Sequence, residues 1–127
     1  MSYKIARKVA PSACLCSASS SGAGNVIFSF VGGDFMPSIS SSTINLLAGY
    51  EYLIMSYPSP ATNATCSYYT IVNGINGTAV TTNTATFDSG RDTTFNSILA
   101  VTDVTFSLYA SSALSSNTRL EIWRHPL

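Results

Sequence analysis

From Asn25 onward, apolar and polar positions alternate in short runs divided by Gly, Pro, Asn and Ser. Such alternation marks half-buried β-strands, whose successive side chains point to opposite faces. Asn25 to Val31 sets Val26, Phe28 and Phe30 against Ile27, Ser29 and Val31, and stops at Gly32-Gly33-Asp34. Ser42 to Ala48 stops at Gly49. Tyr50 to Tyr57 places Tyr52, Ile54 and Ser56 on one face and Glu51, Leu53, Met55 and Tyr57 on the other. Cys66 to Val72 ends at Asn73-Gly74, a strong hairpin signal. Thr78 to Phe87, Phe95 to Val101 and Val104 to Tyr109 follow. Thr118 to Trp123 comes last, with Leu120 and Ile122 opposed to Arg119, Glu121 and Trp123. About eight strands in one short domain predict an all-β fold, an antiparallel β-sandwich of the jelly-roll kind. No window reads as a long amphipathic helix, and no repeat points to a propeller or solenoid.

The first 24 residues lack this periodicity. Ser17 to Gly24 has the composition of a linker. Residues 1–24 are therefore read as an extended arm and residues 25–127 as the sandwich. Lys4, Arg7 and Lys8 precede the mildly apolar stretch Val9 to Ala18. That arrangement superficially resembles a signal peptide, but Pro11 and several Ser break its apolar region. The arm is expected to dock onto a larger assembly, with those three basic residues as its contacts.

Composition sharpens the picture. The chain has 127 residues, of which 46% are hydrophobic and only 9% charged; an average soluble domain carries about 25% charge. Six basic residues balance six acidic ones. A net charge of zero argues against nucleic acid as partner, since a basic face is needed to displace counterions. No apolar run reaches the ~20 residues of a membrane span. The polar surface must come from Ser, Thr and Asn, as on secreted, cell-surface and virion proteins.

Candidate chemistry is sparse. The single His, His125, lies three residues from the C-terminus and is a poor base for a Ser or Cys nucleophile. Three Cys, at 14, 16 and 66, make no complete disulfide framework. A Cys14–Cys16 bond would close a tight ring, and a bridge from either to Cys66 has no spacing rule behind it; small apolar residues or free thiols are the plainer reading. Zinc would need a fourth ligand. Asp88 and Asp92 flank Gly90 without the spacing of a calcium loop, so a local turn is the better reading. Asn63 and Asn76 sit in glycosylation-type triplets, expected by chance in so Asn- and Thr-rich a chain. Tyr68 and Tyr69 are adjacent and so face opposite sides of a strand, which prevents them from forming one sugar-stacking platform. Neither catalysis nor a cofactor is expected. Trp123 falls in the final strand, unlike the central Trp of an immunoglobulin domain.

Two stretches resemble known proteins. Ile44-Asn-Leu-Leu-Ala-Gly-Tyr-Glu-Tyr-Leu-Ile54 resembles a strand pair of small phage and viral surface domains. Val104-Thr-Phe-Ser-Leu-Tyr-Ala110 followed by Ser115-Ser-Asn-Thr-Arg-Leu-Glu-Ile122 is similar to the last two strands of tumour-necrosis-factor-like and complement globular-head jelly rolls. The resemblance covers roughly residues 42–123 and rests on pattern; it implies a jelly roll that trimerises, and transfers no site residue. It implies a virion structural protein: a capsid decoration, head-fibre or spike subunit bound to the major capsid or other virion proteins, and located at the particle surface. The homo-oligomer interface is expected at Leu120, Ile122 and Trp123. The alternative is a carbohydrate- or receptor-binding module, for which a host-surface glycan would be the ligand.

Overall fold

A computed structural model describes residues 12–59, 66–82 and 94–127. Lys4, Arg7, Lys8, Asn63, Asp88, Asp92 and the later part of the Thr78–Phe87 run lie outside the described residues.

The described chain forms β1 (Ser12–Ser20), β2 (Gly24–Asn25), β3 (Ile27–Gly33), β4 (Ser38–Ser40), β5 (Thr43–Leu46) and β6 (Tyr50–Tyr57). It continues with β7 (Cys66–Val72), β8 (Ile75–Asn76), β9 (Val80–Thr82), β10 (Thr94–Ala100), β11 (Val104–Ala110) and β12 (Leu114–Pro126). All pairings are antiparallel. The first sheet has the order β10-β6-β12-β1-β3. The second has β4-β5-β11-β7-β8, with β2 added to β11 and β9 to β7. From β5 onward the chain crosses repeatedly between the sheets, which makes the sandwich a jelly roll. Among the described residues no helix is long and apolar enough to cross a membrane.

The inward face of each strand builds one core. Cys14, Cys16, Phe28, Tyr52, Ile54, Leu120 and Ile122 enter from the first sheet, and Ile44, Leu46, Tyr68, Phe106 and Leu108 from the second. Each large apolar side chain buried here contributes roughly 1.5–3 kcal/mol against exposure. Phe28 meets Phe106 across the core with ring centroids 6.4 Å apart. The Asn73-Gly74 turn is tight as expected. Val72 pairs with Ile75, and both turn residues take positive φ, 50° and 78°.

The arm boundary needs correction. Ser12–Ser20 is a strand inside the first sheet, paired with β12 on one side and β3 on the other. From Ser17 on it has the composition of a linker, yet Cys14, Cys16 and Ala18 alternate inward and are buried. The sandwich therefore begins at least as early as Ser12.

Candidate functional site

The outer face of the first sheet follows directly from the alternation that builds the core. Where Tyr52, Ile54 and Ser56 point in, Leu53, Met55 and Tyr57 point out. Pairing register aligns these with neighbours across the sheet. One row runs Phe95, Met55, Glu121, Leu15 and Gly32. The next runs Ser97, Leu53, Trp123 and Ala13, and a third Leu99, Glu51 and His125. Phe95 and Leu99 are 65% and 61% exposed, and Leu15 and Trp123 each 36%. The face thus carries exposed apolar side chains in every row, interspersed with Glu121, Ser97, Glu51 and His125.

Trp123 stands at its centre as a ridge. A depression on one side is lined by Leu53, Ser97, Glu51 and His125. Another lies toward Leu15, Gly32 and Asp34. The indole Nε1 donates to Glu121 Oε1 at 3.3 Å, which fixes the ring's orientation. Near the edge, the Arg119 guanidinium lies 4.6 Å from the centre of the Tyr57 ring. Burial pushes the Tyr57 hydroxyl above its ordinary range; the Glu121 charge adds to that and Arg119 opposes it.

The second sheet presents a different exterior. None of its strands contains a charged residue. Its outward positions are mainly hydroxyls and amides, among them Thr43, Asn45, Ser67, Thr105 and Ser107. Two Tyr rings rise from this face. Tyr69 and Tyr109 are cross-strand partners, stacked with centroids 5.0 Å apart and planes 19° apart.

The expected interface residues separate on inspection. Leu120 and Ile122 are 1% and 0% exposed and belong to the core; a partner has no access to them. Trp123 alone of the three lies on the outer face. The alternation along β12 itself sets Trp123 opposite the other two. Leu15, Phe95 and Leu99 join Trp123 on this face: Leu15 comes from a stretch without evident strand periodicity, whereas the four-residue spacing of Phe95 and Leu99 sets both on one side of β10.

The remaining chemistry-bearing groups are dispersed over the sandwich. Cys14, Cys16 and Cys66 are buried free thiols. Cys14 and Cys16 Sγ lie 3.7 Å apart. Burial, with the Cys14 thiol beside it, pushes Cys16 up to about 12, so it stays protonated at neutral pH. Asp34 Oδ2 accepts from the Ala13 N–H at 3.0 Å, tying a loop to β1, and Asp103 Oδ1 from the Ala48 N–H at 2.9 Å, joining the β10–β11 loop to the β5–β6 loop. Among the described residues no group of three or more His, Cys, Asp or Glu is placed to hold a metal. His125 is exposed on the sheet face.

No protein-family model matches this sequence, and no curated protein matches it. Solved structures do. Crystal structures of murine APRIL at pH 8.5 and pH 8.0 each align with a TM-score of 0.56 at 10% identity, covering 91% of this chain and 99% of that one. Murine APRIL at pH 5.0 gives 0.58 with the same identity and coverage. At that identity the likeness concerns the fold: the chain is a β-sandwich jelly roll of the tumour-necrosis-factor type.

Proposed function

We propose that this chain is an assembly subunit whose copies pack through the outer face of the first sheet. The observation that carries the reading is the apolar surface around Trp123, set against the hydroxyl-rich, uncharged exterior of the second sheet. Phe95, Leu99, Leu15 and Trp123 exposed together on one sheet face suit a contact with a second copy. Lasting interfaces between subunits resemble a core cut in half. Closed cyclic packing also hides sheet edges, and a trimer is the closure that the jelly-roll resemblance favours. On this reading the role is mechanical and no reaction is catalysed. We place the assembly on a virion, as a decoration, head-fibre or spike subunit held by other virion proteins. Support for that placement is the very low charge, the Ser/Thr/Asn surface and the likeness of the 44–54 strand pair to viral surface domains.

The double substitution Phe95→Lys/Leu99→Lys tests self-packing, because both side chains are exposed in one subunit and need not disturb its core. Sedimentation velocity should find the variant dissociated and folded where the native chain is assembled. An assembly of undiminished stability would rule this face out. Labelling intact particles with an antibody to the chain tests the placement: absence from purified particles contradicts it.

One observation favours a second reading. The stacked Tyr69–Tyr109 pair on an uncharged hydroxyl surface offers apolar contact beside hydrogen-bonding groups, a combination that suits a glycan on a host surface. A glycan array on the native protein decides this, with Tyr109→Ala as control. Array signal that survives the substitution would exclude the pair.

A further inference from the structure

Arg124 stands apart from the other charged residues of β12. Arg119 and Glu121 occupy outward positions, whereas Arg124 continues the inward series of Leu120 and Ile122. It lies half-buried at the end of the core. Its guanidinium carbon sits 3.9 Å from the centre of the Phe35 ring and 4.3 Å from that of Tyr50. Nε donates to Ser12 Oγ at 3.4 Å. Among the described residues no carboxylate pairs with it. A guanidinium held between two rings keeps a planar fork of donors that matches a carboxylate.

The same residue borders a cavity of about 210 Å³, whose lining includes Met36, Leu46, Leu47 and Tyr52. Among the described residues Arg124 is the only charged one of that lining. The Tyr52 hydroxyl donates to the Leu47 carbonyl at 2.9 Å and accepts from Arg124, whose remaining donors stay free among the described residues. The cavity therefore combines one uncompensated cation with largely apolar walls. A partly desolvated charge gains from a partner of opposite sign.

We propose that this cavity binds a small monocarboxylate with a short apolar tail, its carboxylate on Arg124 and its tail along Met36, Leu46 and Leu47. Inorganic phosphate would leave the apolar walls unused. A long acyl chain exceeds the space, which is below the roughly 300 Å³ of drug-sized sites. The cavity lies at the end of the sandwich, so the inference does not depend on self-association through the sheet face.

The test is an NMR titration of the native protein with hexanoate, reading the methionine methyls and the Arg124 Nε–Hε signal. Hexanol and hexylammonium serve as charge controls, and Met55, on the outer sheet face, as the internal control. The Met36 and Arg124 signals should move saturably, with a dissociation constant on the order of 1 mM, while Met55 stays still. Hexanol should bind about tenfold more weakly or worse. Arg124→Gln should abolish the response. Met36→Glu should abolish it too, by placing a carboxylate beside Arg124, at a residue 67% exposed and tolerant of change. Equal binding of hexanol and hexanoate, no saturable shift with hexanoate, or undiminished binding by folded Met36→Glu would each overturn the proposal.

Discussion

At Gly33 the backbone of β3 passes so close to β1 that a methyl group has no room. A Cβ there would strike the Ala13 carbonyl oxygen and lie 2.7 Å from the Cys14 Cα, and φ is +135°. Gly33→Ala is expected to destabilise the fold by roughly 2–3 kcal/mol. Urea denaturation at fixed protein concentration checks this, and an unchanged midpoint would contradict the close approach. Cys16 makes a second prediction at this scale. Its thiol is raised in the folded protein to about 12, mainly by burial. The unfolded chain therefore releases that proton first as pH rises. The contribution is fully present below the ordinary thiol pKa of about 8.5 and is lost progressively between there and about 12. Within that window stability should fall by roughly 1.4 kcal/mol per pH unit for this group. Cys14 and Tyr52, also raised by burial, add in the same direction. Denaturation midpoints from pH 7 to 11 should decline, and Cys16→Ala should flatten part of the decline whatever its effect at neutral pH.

Strand β12 carries the two functions of the first sheet on its two faces. Ile122→Ala removes core volume and should cost about 2–5 kcal/mol of folding stability. Trp123→Ala, one residue on, should leave the subunit's own fold nearly unchanged and weaken association by about 2–4 kcal/mol. Thermal melts and sedimentation on both variants separate the effects; equal loss of folding stability in both would contradict the assignment of faces. Residue alternation made β6 and the core of β12 legible, because Tyr52, Ile54, Leu120 and Ile122 repeat at period two beside polar partners. Asn73-Gly74 was legible through its need for positive φ. Other stretches hid their state. Cys14, Cys16 and Ala18 are the buried positions of β1 and all are small, so the strand lacks the large apolar alternation that marks its neighbours. Ser115-Ser116-Asn117 has turn composition and lies where the register with β1 shifts, yet β12 runs through it from Leu114 to Pro126.

At the scale of the whole molecule, the strand order β10-β6-β12-β1-β3 joins segments far apart in sequence. No local pattern encodes those neighbours, so the outer face around Trp123 could not be assembled by reading along the chain. Leu15, Leu53, Phe95 and Trp123 come from four strands that share a surface only once the register is set. Composition did foretell its consequence: a chain with 9% charged residues must keep much of its surface polar by other means or cover it. The second sheet takes the first course, and in the proposed assembly the first sheet takes the second. The most direct test is the mass of the native protein in solution, by light scattering on a sizing column at micromolar concentration. The account predicts a mass near three times 13.4 kDa. A clean monomer, with the first-sheet face open to solvent, would contradict it.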